Sequence, residues 1–524
     1  MKINHRKILD WRCDFVALVS GALLPFSLAP YNIWPLGILA TTMLALTLVG
    51  QSGRRGFFRS VLFGLGMYGF GASWVFRSIH DFGFASTPLA FVLTSLFVFG
   101  LALVFALPFI LYCKYCSKSR PGFLLGFASV WILGEWIRSW FLTGFPWLYL
   151  GYAHTSTWLG GWAPILGVFG IGFFAVLSGL VISDVFHQFI NHLRNKTHPF
   201  DLHTKSDRKT ASVLFILVCL CWVGGWQFSN IAWTKKTSEN PLSVALVQPN
   251  IPQPMKWQPF YFPYIMQTLR DLTRDHWEAD LVLWPENAVP HFYHDASDFL
   301  EEINLRAEAG NTALITGILY DADEPRTWYN SIIGLGTAEG TYFKQRLVPF
   351  GEYVPLEKHI RGLLEFFNLP NSVISVGPKD QELLRTKDFK LASYICYEIV
   401  YPDLVAQYAG ESELLLTISN DAWFGDSIGP LQHFQMAQMR AMENGKYLLR
   451  ATNTGVSGVI SHKGEILEQL PQFEQGTLRS DVYTMTGKTP FAQLKSWPTI
   501  LFSLFGFLLT VILQAKRHSV NEVH

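Results

Sequence analysis

Cys396, Glu286 and Lys344 are the residues of this 524-residue chain whose types and settings suit covalent chemistry. Cys396 ends the apolar run Leu391-Ala-Ser-Tyr-Ile395 and is followed by Tyr397 and Glu398. A cysteine where a strand enters a turn exposes its sulfur to a space into which backbone N–H groups also point. That geometry suits an acyl-transfer nucleophile with an oxyanion hole. A thiol with an ordinary pKa of about 8.5 needs a base or a nearby cation to ionise. Histidine is the usual helper, but His276, His291, His294, His359, His433 and His462 sit in no distinctive motif. Taken alone, Cys396 reads equally well as a buried strand cysteine without a role. Leu281-Val-Leu-Trp284-Pro285-Glu286 ends a second apolar run with a carboxylate. Tyr342-Phe-Lys344 leads into Leu347-Val-Pro-Phe-Gly351-Glu352, a loop stiffened by Pro and Gly. Singly, such a glutamate is usually a solvated turn and such a lysine solvated surface. Together with Cys396 they form a workable set, in which the glutamate takes the thiol proton and the lysine stabilises an anionic tetrahedral intermediate.

The elements that must position these groups read as alternating strands and helices. Apolar, β-branched stretches occur at 243–247, 281–284, 313–318, 331–335, 391–395, 414–418 and 447–452, and helical patterns at 261–275, 298–309 and 432–444. The expectation is an α/β domain whose sheets are backed by helices. No glycine-rich phosphate loop stands between a strand and a helix, so nucleotide binding has no support. Of six cysteines, Cys13, Cys113, Cys116, Cys219 and Cys221 lie in or beside apolar runs. Cys113 and Cys116 lack a second pair or a nearby His to make a zinc set. No metal or organic cofactor is expected.

Only 15% of the chain is Asp, Glu, Lys or Arg, whereas 50% is hydrophobic and 15% aromatic. A soluble chain carries about 25% charged residues, so an ordinary soluble enzyme is disfavoured, and a disordered chain is excluded. Yet 41 basic and 40 acidic residues, a net +1, are too many for membrane spans alone. The composition switches near residue 230. A helix needs about 20 apolar residues to cross a hydrocarbon core, and candidate spans lie at 13–30, 34–51, 57–77, 87–112, 121–141, 162–184, 211–229 and 497–514. The expected domains are 1–230 with seven spans, an extracytoplasmic domain at 231–496, a span at 497–514 and a tail at 515–524. Lys and Arg cluster before the first run, after the last, and in alternate breaks such as Arg54, Arg55 and Arg59. Positive loops stay cytoplasmic, which puts both termini in the cytoplasm and 231–496 outside. The start resembles no cleaved signal peptide, because its apolar stretch runs into further spans. Glu135 and Arg138 fall inside a run; they are expected to pair or to snorkel to the interface, the alternative being a headgroup site.

Trp284-Pro285-Glu286, then Lys344 before Leu347-Val-Pro-Phe-Gly-Glu352, then Cys396-Tyr397-Glu398, resembles the Glu–Lys–Cys triad of the nitrilase superfamily in its order. Asn420-Asp-Ala-Trp-Phe-Gly425 is similar to the segment following the cysteine in that superfamily. The flanking apolar runs with one return span narrow the resemblance to the apolipoprotein N-acyltransferase family, as do Phe26-Ser-Leu-Ala-Pro-Tyr31 and Gly144-Phe-Pro-Trp147 with Gly151-Tyr152. The resemblance covers essentially the whole chain. It implies a polytopic α-helical membrane domain of about eight spans plus an extracytoplasmic nitrilase-like αββα sandwich.

It further implies acyl transfer in two steps at a bacterial inner membrane. A phospholipid, with phosphatidylethanolamine the expected donor, acylates Cys396. The α-amine of a diacylglyceryl-cysteine on an apolipoprotein then takes the acyl group. By the family pattern Glu286 is the general base, Lys344 stabilises the oxyanion and Glu352 orients the site, with Tyr397 and Glu398 beside the nucleophile. Trp257, Trp423, Phe145 and Trp147 are binding candidates. Tyr31, Trp34, Phe82, Phe84 and Tyr149 are candidate interface anchors alongside Phe145 and Trp147. The clusters at Trp257–Tyr264 and at Phe366, Phe367 and Leu369 read either as core or as an acyl-chain groove or lid. The same triad in a membrane-anchored hydrolase would use water in the second step, and a non-enzymatic receptor or transporter is the third class. No nucleic-acid partner is expected.

Overall fold

The computed structural model describes residues 5–194, 205–322, 327–349, 351–353 and 374–521. His359 and the aromatic cluster of Phe366, Phe367 and Leu369 lie outside the described residues. The chain divides into two compact units. One comprises Met1–Ile79, Ser86–Ile231 and Ser496–His524, the other His80–Ala85 and Ala232–Lys495.

The first unit is helical, and each apolar run falls on a helix: His5–Leu23, Pro35–Leu48, Gly53–Gly71, Thr87–Tyr115, Phe127–Arg138, Ala163–Arg194, Lys205–Phe228 and Trp497–Asn521. Among the described residues three stretches, Thr87–Tyr115, Trp158–Gln188 and Trp497–Lys516, are long and apolar enough to cross a membrane. The first run is displaced toward the N-terminus. Its helix ends at Leu23 and passes into the 3₁₀ turn Leu24–Ser27, where Pro25 has no N–H to continue the ladder. Small residues let the helices touch by backbone: a Cβ on Gly21 would lie 1.9 Å from the Phe63 carbonyl oxygen, and one on Gly66 would lie 2.2 Å from that of Leu18.

Glu135 and Arg138 do not snorkel. Both are buried, and they approach each other only to 3.9 Å. Glu135 Oε1 accepts from the Trp131 indole at 3.0 Å and from the Leu150 N–H at 2.9 Å. Arg138 donates to the Tyr68 hydroxyl and, at 3.2 Å, to the Trp147 carbonyl. They therefore pin the 147–150 backbone, in a loop where Leu142, Thr143, Gly144 and Leu148 all have positive φ. Trp147 and Tyr149, expected as exposed anchors, are fully buried. The Tyr149 ring lies 5.3 Å from the Arg138 guanidinium and packs on Tyr152 and Phe169.

Among the described residues the second unit holds two mixed sheets and a two-stranded ribbon. The larger sheet runs Gly476–Val482, Leu242–Gln248, Leu281–Leu283, Ala313–Asp321, Trp328–Gly336, Thr341–Phe343, with Val289–Phe292 paired to Ala313–Asp321. The other runs Ile466–Gln469, Gly458–Ile460, Leu448–Thr452, Leu414–Ser419, Lys390–Ile395, Leu384–Arg385. Alternation along each strand assigns its faces. Leu246, Leu283 and Ile315 share one buried cluster with Ile395, Leu416, Ile418 and Leu449, so the two sheets meet through their side chains. The alternate residues Val247, Val282 and Leu314 pack with Leu269 and Ile303 of helices Phe262–Thr273 and Ser297–Ala309. Lys390–Ile395, Leu414–Ser419 and Leu448–Thr452 are parallel, so Cys396, Asn420 and Asn453 all emerge at the same edge.

Candidate active site

Three strand ends and one loop supply the reactive groups. Cys396 follows Lys390–Ile395 and opens the 3₁₀ turn Cys396–Val400. Its φ is +52°, a conformation costly for a residue with a Cβ, and the residue as a whole is partly exposed. The turn is held from behind, because His433 Nε2 donates to the Cys396 carbonyl at 3.1 Å. Arg450 in turn donates to His433 Nδ1 at 3.0 Å and to Asp421 Oδ2 at 2.7 Å. Of the histidines expected as possible helpers of the thiol, this one supports the Cys396 backbone.

Glu286 follows Leu281–Leu283. Trp284 before it is buried, stacks on Phe299 and donates to Thr273 Oγ1 at 3.0 Å, which anchors the turn. Donors converge on the carboxylate. Oε2 accepts from the Asn420 N–H at 2.7 Å, while Oε1 accepts from Asn330 Nδ2 at 2.7 Å and from Lys344 Nζ at 3.5 Å. Gly317 lies beneath this turn: a Cβ there would come within 2.7 Å of Glu286 Cα and of Ile418 Cδ1 in the other sheet.

Lys344, buried just past Thr341–Phe343, also donates to Glu352 Oε1 at 2.9 Å. Asn330 Nδ2 reaches the same oxygen at 2.9 Å, and Glu352 Oε2 accepts from the Val348 N–H at 2.8 Å. Glu398 is fully buried and joins the lysine loop to the cysteine turn. It accepts from the Ile395, Gln345 and Arg346 N–H groups at 2.8, 2.7 and 3.1 Å and from the Tyr342 hydroxyl at 2.9 Å. Tyr397 is buried and packs edge-on against Tyr401.

Burial raises the Cys396 thiol well above its ordinary value; the Glu286 carboxylate adds to this, and Lys344 opposes it. For Lys344 burial alone would lower the pKa, but Glu352, then Glu286 and Cys396, outweigh it and hold the ammonium above its usual range. Burial pushes Glu398 up to about 7 despite its N–H donors. The resting state is thus a protonated thiol beside a firmly charged ammonium, and attack on a carbonyl requires the proton to leave as the bond forms.

Residues 20–181 match the family model of the apolipoprotein N-acyltransferase N-terminal domain, and residues 243–497 that of carbon-nitrogen hydrolases. The chain is 44% identical over 519 residues, 98% of each sequence, to an apolipoprotein N-acyltransferase of Pseudomonas aeruginosa. It is 35% identical over 500 residues, 95% of this chain and 99% of the other, to one of Coxiella burnetii. Among solved structures it aligns with Nit3 of Saccharomyces cerevisiae, a member of the nitrilase superfamily, at 18% identity and TM-score 0.37, covering 48% of this chain and 92% of that one. The chain belongs to the apolipoprotein N-acyltransferase family.

Family membership places its 243–497 region in an enzyme superfamily, and its long apolar helices make it a membrane-associated member. The fold brings together Glu286, Lys344, Cys396, Glu352 and Glu398. Trp257 and Trp423 belong to the same unit and are 42% and 43% exposed; Trp423 packs edge-on against Phe82 of the 80–85 segment at 5.6 Å. Phe145 and Trp147 belong to the helical unit, where they stack on each other at 5.8 Å, and the buried Trp147 has no surface to offer a ligand. Sequence reasoning passed over Asn330, which bridges Glu286 and Glu352, and Lys256, which touches the Glu286 turn. A polar residue within the strand 328–336 was the available signal for Asn330. Lys256 gave no sign beyond standing next to Trp257. Among the described residues no cluster of His, Cys, Asp and Glu has the makings of a metal site.

Proposed function

We propose that this family member transfers an acyl chain from a phospholipid, through a thioester on Cys396, to the α-amine of the N-terminal diacylglyceryl-cysteine of apolipoproteins. The observation that carries the reading is the convergence of Glu286 and Lys344, with Cys396 in a left-handed turn beside them. In the first step the Cys396 sulfur attacks the ester carbonyl while Glu286 takes the thiol proton. The oxyanion forms against the Lys344 ammonium. Collapse breaks the ester C–O bond, and the departing alkoxide of the lysophospholipid takes the proton back from Glu286. In the second step the neutral amine attacks the thioester and gives a proton to Glu286. The C–S bond breaks, and the thiolate recovers that proton. Glu352 holds Lys344 and Asn330 in place, while Glu398 with Tyr397 fixes the cysteine turn to the lysine loop. Trp257 and Trp423 contact the acyl chain or the incoming lipid.

The proposed setting is the bacterial inner membrane. About eight helices span it, both termini are cytoplasmic, and residues 231–496 form a periplasmic nitrilase-like αββα sandwich. Phosphatidylethanolamine is the proposed donor, which supplies the acyl group without any cofactor. The test is intact mass of the wild type and Cys396→Ser after exposure to phosphatidylethanolamine vesicles. The expected result is an acyl adduct that the base treatment used for thioesters removes, and that persists until a diacylglyceryl-cysteine peptide is added. Rapid discharge to water with no transfer to the peptide would overturn the reading in favour of the hydrolase.

A further inference from the structure

Lys256 closes the one-turn helix Gln253–Lys256, immediately before the exposed Trp257. Its ammonium is buried and donates to the Glu286 backbone carbonyl at 2.9 Å. Among the described residues it has no carboxylate within salt-bridge distance, whereas Lys344 has two. The other end of the same turn reaches the same place. Gln253 Oε1 accepts from Asn420 Nδ2 at 2.8 Å, and the Asn420 N–H donates to Glu286 Oε2 at 2.7 Å. Lys256, Glu286, Asn420 and Gln253 thus close a ring of contacts that runs through the Glu286 turn.

A buried ammonium without a carboxylate of its own is costly unless nearby charge compensates it. The charge census of the centre supplies the reason. Glu286 and Glu352 share Lys344 in a desolvated site, and the buried Glu398 also lies within the field of that one ammonium. Lys256 adds a second cation on the Glu286 side of the centre.

Resting on the reading of Glu286 as the base, we propose that Lys256 is a positioning residue of the acyl transfer. Its ammonium fixes the Glu286 turn and supplies the second positive charge against which Glu286 takes up and returns the proton. Burial lowers the Lys256 ammonium to about 8, with Glu286 opposing, so the charge it supplies is lost in mildly alkaline solution. Of the other groups facing the centre, burial pushes Glu398 up to about 7, a titration that wild type and the Lys256 variants share. Lys344 is held above its ordinary value by Glu352 and Glu286 against burial. Cys396 is raised by burial first. Behind the cysteine, Asp421 is held low by Arg450 against burial, and His433 is lowered by burial and then by Arg450.

The experiment follows Cys396 acylation by intact mass in single turnover with phosphatidylethanolamine vesicles and no acceptor, from pH 5.5 to pH 9.5, for the full-length wild type, Lys256→Met and Lys256→Arg. The wild-type rate should fall as pH rises through about 8. Lys256→Arg should acylate within about threefold of wild type at pH 7 and lack that alkaline fall, because arginine keeps its charge. Lys256→Met should be about tenfold or more slower, with its acid limb moved to higher pH. A purely structural lysine would change the rate equally at every pH. The inference is overturned if Lys256→Met stays within twofold of wild type, or if Lys256→Arg keeps the wild-type alkaline fall. Should Lys256→Met fail to fold, the Arg variant decides alone. A wild type that forms no adduct would defeat the functional reading instead. Iodoacetamide alkylation of the Cys396 peptide across the same pH range would then test Lys256 independently, with Met shifting the profile upward and Arg restoring it, and no shift in Met overturning the inference.

Discussion

Both units bury a glutamate beside a cation, and they put the pair to different uses. In the helical unit Glu135 and Arg138 spend their hydrogen bonds on backbone and aromatic groups: the Leu150 N–H, the Trp147 carbonyl, the Trp131 indole and the Tyr68 hydroxyl. In the sheet unit Glu286 and Lys344 are held by Asn330, Asn420 and Glu352, and a partly exposed cysteine lies within their field. Burial and opposite charge are common to both, so neither marks a reactive site. The difference is that the sheet unit sets a partly exposed cysteine beside its pair and holds Glu286 by donors from three separate segments.

The largest effect should come from the nucleophile. Cys396→Ala should form no acyl adduct by intact mass and lose about 10³-fold or more in transfer; retained transfer would erase the contrast between the units. Next, Glu286→Gln should slow Cys396 acylation by about 10²- to 10⁴-fold, as removal of a general base does, with the thermal unfolding temperature nearly unchanged. The pair in the helical unit should respond the other way. Arg138→Met strands a buried carboxylate, which should cost about 3–5 kcal/mol of stability, read as earlier thermal unfolding in detergent. Acylation per folded molecule should stay within about threefold of wild type. Lost acylation at unchanged stability would move Arg138 into the reactive machinery. The smallest effect concerns Glu398, whose folded pKa of about 7 lies above the ordinary 4.5. A raised carboxylate stabilises the fold below its unfolded pKa, and that contribution is lost as pH rises through the folded value. Unfolding of wild type and Glu398→Gln between pH 4.5 and pH 8 should therefore show the difference moving against wild type as pH rises toward about 7.

Much of this site was legible because strands announce their ends. Leu391–Ile395 and Leu281–Leu283 are short apolar runs, so the polar residues that follow them, Cys396 and Glu286, stand out. Lys344 and Glu352 are framed by a stiff loop. The missing members share a different property, which is that only tertiary burial distinguishes them. Lys256 reads as one more solvated lysine, and Asn330 as the polar face of a strand. The strands 458–460, 466–469 and 476–482 escaped for a related reason. Ile466–Gln469 is wholly exposed and Gly476–Val482 alternates polar residues at the margin of its sheet, so neither carries an apolar run. In the helical unit hydropathy located the eight long helices among the described residues but not the short turns Leu150–His154 and Trp158–Trp162, and turns at Pro25 and Gly71 shifted the ends.

The glycine at position 317 has a mechanical consequence. Glu286 follows a strand of one sheet and Cys396 a strand of the other, so on the proposed mechanism the proton crosses the seam between them, and at Gly317 that seam has no room for a Cβ. The apolar side chains filling the seam act as shims that set the working gap of the reaction. A misplacement of about 1 Å can cost about 10²-fold in rate. Substitutions deep in this core should therefore detune the chemistry before they loosen the fold.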